Sequence, residues 1–227
     1  MSAPSDQPKP YHHGDLRLVL LRVIKELIAE RGIEGLTLRE CARRAGVSWS
    51  APHHHFRDKT GMLTAFAVQG FFGLREYMER KLASESDPGL RAAAVGQAYL
   101  EFALGNPEHF RVMFRTELLN ASDPALEAAN HGPFAILVQA LRDCDASVGV
   151  NDEGGLPHRC LLAWSAVHGY ATLCLEGAIQ QGYGVSKDAA LVVGRDLVLR
   201  LVPSLLPGRA LTSGKEAPLN TGFQPNE

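Results

Sequence analysis

The stretch Thr37-Leu38-Arg39-Glu40-Cys41-Ala42-Arg43-Arg44-Ala45-Gly46-Val47-Ser48-Trp49-Ser50-Ala51-Pro52-His53-His54-His55-Phe56 decides how this chain is read. Thr37 is a good N-cap, and Glu40 three residues on completes the T-x-x-E capping-box pattern. Leu38, Cys41, Ala42 and Ala45 share the inner face of the helix that follows. Gly46 ends it, because glycine enters the left-handed conformation at little cost. Val47 plugs the turn. Ser48 is then expected to cap a short helix from Trp49 to about Phe56, with Pro52 still in its first turn, where a missing N–H costs little. Asp58 caps a longer helix expected to run to about Leu82.

Helix, a turn of about four residues, then a short polar helix is the helix-turn-helix arrangement, which presents its second helix to the DNA major groove. The side chains suit that use. Trp49, Ser50, His53 and His54 can donate to phosphates or base edges or pack on thymine methyls. Thr37 and Ser48 stand at helix N-termini, where backbone N–H groups favour phosphate. Arg39, Arg43, Arg44 and Lys59 surround them with positive charge. From spacing alone the same pattern also fits an ordinary αα-corner inside a helical bundle.

Helical period extends outward in both directions. Leu16, Val19, Leu20, Val23, Ile24, Leu27 and Ile28 form one apolar stripe that Gly32 terminates. Downstream, Asp87-Pro88, Asn106-Pro107 and Asp123-Pro124 each read as a cap followed by proline at the first helical position. His131-Gly132-Pro133 is expected to break or kink the helix begun at Pro124. Two strongly apolar helices close the body, from about Leu156 to Gln181 and from Ser186 to Val202. No segment alternates like a strand, so the fold class is all-α with about nine helices. The expected organisation is an arm at 1–10, a helix-turn-helix unit at 11–58, a helical body at 59–203 and a tail at 204–227; the two Pro-rich polar ends read as disordered or loosely attached.

Charge follows the same division. Between Lys9 and Thr60 ten basic residues face six acidic ones, with five of the nine histidines, whereas thirteen basic face eighteen acidic from Gly61 onward. A basic first quarter on an acidic remainder suits an anion-binding module joined to a body that is not one. Cys41, Cys144, Cys160 and Cys174 are far apart with no CxxC pair, so buried reduced thiols are expected. The opening MSAPSDQPKP has no apolar signal core. Cys160–Leu175, the longest uncharged apolar helical run, falls short of the roughly 20 residues that span a bilayer. A cytoplasmic protein is expected. Three consecutive histidines at 53–55 point about 100° apart on a helix and cannot converge on one ion, so no metal or other cofactor is expected. Nor is an enzyme: there is no Gly-rich loop after a strand, no GxSxG and no HExxH.

The run GIEGLTLRECARRAGVSWSAPHHHFRDKTGML resembles the N-terminal DNA-binding domain of the TetR/AcrR family of bacterial repressors. The likeness rests on Gly35-Leu36-Thr37, on Ala42 with Ala45-Gly46-Val47-Ser48, and on His55-Phe56 followed by Lys59 and Leu63. It implies that Thr37, Ser48, His55 and Lys59 contact backbone phosphates and that Trp49, Ser50 and His54 face base edges. The family usually has tyrosine at the position of His53, as a phosphate contact; imidazole donates there too, more weakly and with pH dependence. The segment Lys9–Asp15 resembles the arm of one subgroup, which reaches an adjacent groove. Trp164-Ser165-Ala166-Val167-His168-Gly169, with Asn106-Pro107 and Phe110–Phe114 upstream, resembles the WHG-type C-terminal domain of some TetR-like regulators, implying a ligand-sensing and dimerisation body. Tyr99, Phe102, Phe110, Met113, Phe114, Trp164 and His168 are the candidate pocket residues, and they could equally fill a core. The implied function is a homodimeric repressor of a palindromic operator in double-stranded DNA, released by a small apolar effector. The competing reading is a helical sensor or scaffold that uses the helix-turn-helix for protein contact.

Overall fold

The structure, a computed structural model, describes residues 13–205. The expected arm at 1–10 lies outside them, as do most of the Lys9–Asp15 segment and all but the first two residues of the expected tail. Ten α-helices are present among the described residues: α1 (His13–Arg31), α2 (Leu38–Ala45), α3 (Ala51–Phe56), α4 (Lys59–Ala83), α5 (Pro88–Gly105), α6 (Pro107–Met113), α7 (Pro124–Ser147), α8 (Leu156–Leu175), α9 (Ala178–Tyr183) and α10 (Lys187–Ser204). A single 3-10 turn, Thr116–Leu118, separates α6 from α7, and no strand occurs among the described residues.

Local capping chemistry places most boundaries. Thr37 Oγ1 accepts from the Glu40 N–H at 3.1 Å, Asp58 from Gly61 at 2.8 Å and Asp87 from Leu90 at 2.8 Å. Asp123 accepts from both Ala125 and Leu126. Gly46 closes α2 at φ 67°, in the left-handed region, with its neighbour Val47 donating back to the Ala42 carbonyl.

Three helix limits and one cap differ from the sequence reading. α3 starts at Ala51 rather than Trp49, and Ser48 is not its cap. Pro52 has no N–H to give the Ser48 carbonyl, so the Ala51 N–H takes it in a tighter turn at 3.0 Å, leaving Trp49 and Ser50 ahead of the helix. α7 runs unbroken through His131-Gly132-Pro133. The lost hydrogen bond costs about 3 kcal/mol, and burial of Leu126 and Ala129 before the proline and Ala140 and Leu141 after it offsets that cost. The first closing helix stops at Leu175, because Gly177 at φ 81° turns the chain into the separate α9. That division makes ten helices rather than about nine. Asn106, finally, occupies the cap position of α6 without a side-chain cap bond; its Oδ1 accepts from Lys25 Nζ at 3.2 Å and its Nδ2 donates to the Phe102 carbonyl.

α4 organises the molecule. Its 25 residues span about 37 Å and bury Met62, Leu63, Phe66, Phe71, Leu74 and Met78. It packs on α1 and α3 at one end and on α5, α6 and α7 along the rest. α1 buries Leu20, Ile24 and Leu27 against the same core as Leu36, Cys41 and Phe56. All four cysteines are buried and free. No helix among the described residues is long and apolar enough to cross a membrane.

Candidate nucleic-acid interface and internal cavity

The turn between α2 and α3 presents a polar face with one large aromatic. Trp49 is 76% exposed, and His53 and His54 are exposed beside it. A tryptophan left largely in water on a helix-turn-helix buries little within the chain, which fits a side chain kept for another surface. Ser48 Oγ and Ser50 Oγ lie 3.2 Å apart, so one hydroxyl proton of the pair stays available. Thr37 Oγ1 accepts its cap bond and keeps its own proton to donate. His55 is half-buried, its ring 6.1 Å from that of Phe56. Lys59 opens α4, with Nζ donating to the Glu34 carbonyl at 3.2 Å.

The arginines divide into two kinds. Arg44 Nη1 and Nη2 clamp Glu30 of α1 at 2.7 and 2.6 Å. Arg43 holds Glu40 through Nε at 2.9 Å and Nη2 at 2.7 Å, and Arg31 approaches the same carboxylate. The Arg43 hydrogen bonds draw the Glu40 carboxyl down to about 2. Arg39, by contrast, is exposed and carries no ion pair among the described residues. Arg57 is the cation that sequence reasoning missed. It caps α3 at φ 67° and ψ −55°, the single non-glycine residue with positive φ among those described, and its side chain is exposed. Its positive φ is not legible in sequence.

The body encloses a cavity of about 220 Å³. Phe71, Leu74 and Met78 of α4 form one wall, Val95 and Tyr99 of α5 another, and Val167 of α8 with Val198 and Leu201 of α10 a third. α7 contributes Asn130, His131, Pro133, Phe134, Leu137 and Leu141, of which Asn130, His131 and Phe134 are exposed and mark the rim. Of the sequence candidates, Tyr99, Phe114 and Trp164 stand in the wall. Phe102, Phe110, Met113 and His168 do not. Phe102 packs on Tyr77 and against Gly73 of α4, and Met113 fills the space a side chain at Gly70 would need. Phe110 and His168 stand behind the wall with ring centroids 5.2 Å apart.

His168 is a hydrogen-bonded core histidine. Its Nδ1 lies 2.7 Å from Tyr99 Oη, and Trp164 Nε1 reaches the same oxygen at 3.4 Å. An indole nitrogen only donates, so Tyr99 accepts from Trp164; the His168 tautomer sets which partner donates in the Tyr99–His168 bond. Burial lowers the pKa of His168 and raises that of the Tyr99 hydroxyl, which keeps both neutral. The α7 contribution is what sequence reasoning missed. Its signal was the i, i+3, i+7 run Phe134, Leu137, Leu141.

Known proteins share this architecture. Residues 20–66 match the model for bacterial regulatory proteins of the tetR family, and residues 92–193 match the tetracyclin repressor-like C-terminal domain. A solved structure of a protein with unknown function from Rhodococcus sp. RHA1 is 33% identical, covers 85% of this chain and 98% of its own, and superposes with a TM-score of 0.71. The TetR family transcriptional regulator PfmR from Thermus thermophilus is 21% identical over 80% of this chain and 97% of its own, at a TM-score of 0.60. The regulator FadR from Bacillus subtilis, solved in complex with stearoyl-CoA, is 18% identical over 83% and 98%, at 0.65. With both halves matched in chain order, the helix-turn-helix on the first and the tetracyclin repressor-like body on the second, the chain belongs to the TetR family of bacterial regulatory proteins.

Proposed function

We propose that this TetR-family transcriptional regulator is a cytoplasmic homodimeric repressor that binds a palindromic operator and leaves it when a small apolar molecule fills the cavity. The observation that carries the reading is that α4 belongs to both places. It begins at Lys59, directly after the α3 reading helix, and its Phe71, Leu74 and Met78 wall the cavity. A ligand that spreads this wall moves the base on which α3 sits, and it acts through its different affinity for the two arrangements. In this reading residues 11–58 form the reading head and residues 59–203 the effector and dimer unit, flanked by segments 1–10 and 204–227. Thr37, Arg39, Ser48, His53, His55 and Lys59 meet phosphates, and Trp49, Ser50 and His54 face the groove.

Dimerisation is supported by the outward faces of α8 and α10. Leu162 is 55% exposed and Val192 66%, with Leu161, Leu173 and Leu199 also open to water. One helix-turn-helix covers too few base pairs for strong specificity, and a two-fold pair places two heads about one helical turn apart. That a protein of this fold holds stearoyl-CoA supports a small-molecule effector with an apolar part. The reading is tested by titrating operator DNA with protein in the presence and absence of candidate apolar molecules. Release on saturation supports it, and operator affinity indifferent to every cavity ligand contradicts it.

A further inference from the structure

The cavity wall has an unusual polarity, which narrows the class of effector; this inference rests on the cavity being the effector site. Among the described residues, no lysine, arginine, aspartate or glutamate lines it. Its polar members are Tyr99 and Trp164 within the wall and Asn130 and His131 at the exposed rim. Arg75, the α4 cation that lies against Gly132 of α7, is outside the wall, with its Nε given to Glu79 at 2.7 Å. A carboxylate or phosphate carried into this space would lose its water and meet no counter-charge among the described residues.

The wall does hold one under-used donor. Tyr99 Oη and His168 Nδ1 lie 2.7 Å apart, a full-strength bond that occupies both groups. Trp164 Nε1 reaches Tyr99 only at 3.4 Å, beyond the usual range for an N–H donor to oxygen. Trp164 is 37% exposed and therefore has room to turn toward a better acceptor. We propose that the effector is an uncharged apolar molecule with a single hydrogen-bond acceptor, such as a ketone or ester carbonyl, that takes the Trp164 indole N–H while its hydrocarbon fills the space between α4, α5, α7 and α10.

The test uses the fact that the chain has two tryptophans, Trp49 and Trp164. In the full-length W49F protein, without DNA, fluorescence reports on Trp164 alone. The probes are nonanone, chlorononane, nonanoate at pH 8 and nonanoyl-CoA, which share a hydrocarbon and differ in head group. Nonanone is expected to change Trp164 emission saturably, with nonanoate and nonanoyl-CoA at least about tenfold weaker. By calorimetry, W164F is expected to weaken nonanone about tenfold, the worth of one hydrogen bond, while leaving chlorononane within about twofold. Nonanoate or nonanoyl-CoA binding as tightly as the ketone overturns the uncharged class and leaves the cavity reading standing. Equal losses for ketone and chloride in W164F, or none, overturn the role of Trp164. If no probe alters Trp164 emission or operator binding, both this inference and the effector reading fall.

Discussion

Arg44 of α2 is bound through both guanidinium nitrogens to the carboxylate of Glu30 on α1, at 2.7 and 2.6 Å. The fork raises the pKa of Arg44 and lowers that of Glu30, so both stay charged and paired. Two arginines of α2 therefore differ in purpose. Arg44 fixes the angle between α1 and α2, and the exposed Arg39 offers its charge outward. Substituting Arg39→Ala is expected to leave thermal stability unchanged and to lower the salt slope of DNA binding by about one unit. Arg44→Ala is expected to lower Tm slightly, as befits an exposed pair, and to change the salt slope little. Salt titrations of both variants check this, and identical slopes in the two would contradict it.

His109 gives the molecule an acid limit. The ring is 8% exposed, stacks on Phe66 with centroids 3.9 Å apart, and pairs Nε2 with Gln69 Oε1 at 3.1 Å. Burial, and secondarily Lys25, pushes its pKa down to about 4. The unfolded state thus binds this proton more readily than the folded one, and stability falls as pH drops from about 6.5 toward 4. His109 alone should account for a loss of about 2–3 kcal/mol between pH 7 and pH 4.5. Urea unfolding at both pH values should show the His109→Gln variant with a correspondingly smaller difference. An unchanged difference would assign the acid sensitivity elsewhere.

How far the sequence could be read depended on the distance over which each feature is decided. Thr37, Gly46, Asp58, Asp87 and Asp123 fix helix ends through contacts within a few residues, and each did so as its residue type predicted. The start of α3 was misplaced because the missing N–H of Pro52 acts back on Ser48, a competition between two local signals. The Arg44–Glu30 clamp joins two helices and follows from no spacing rule. The cavity was half legible: aromatics near Tyr99 and Trp164 marked the region, but which of them face the space depends on how α7 lies across α4 and α5. That packing put Phe114 in the wall and Phe110 behind it.

Filling the cavity should separate its role from that of the reading head. Ala163 is buried in the cavity wall on α8. Ala163→Phe is expected to keep operator binding within about twofold while abolishing release by any effector, since the added ring occupies the free volume. Anisotropy titrations with and without effector read both quantities. Release that persists in this variant would place the effector elsewhere.

A charge on the exposed face of α8 tests the dimer. Leu162→Glu alters a side chain already open to water, so the fold should tolerate it within about 0.5 kcal/mol. Burying that carboxylate between two copies should instead shift the protein to monomer and weaken operator binding by at least about a hundredfold. Sedimentation equilibrium on wild type and variant decides it, and a variant that remains dimeric would exclude this face.

The central claim is that the α2–α3 face reads DNA, and its most direct test is an anisotropy titration of the full chain. The DNA comes from immediately upstream of its own gene, competitor DNA is present, and the titration is run at two salt concentrations, with Trp49→Ala in parallel. The account predicts tight, salt-sensitive binding that survives the competitor and drops about tenfold or more in the variant while Tm is unchanged. Weak binding equal for every sequence, unaffected by loss of Trp49, would contradict it and would favour a helix-turn-helix that serves protein contact.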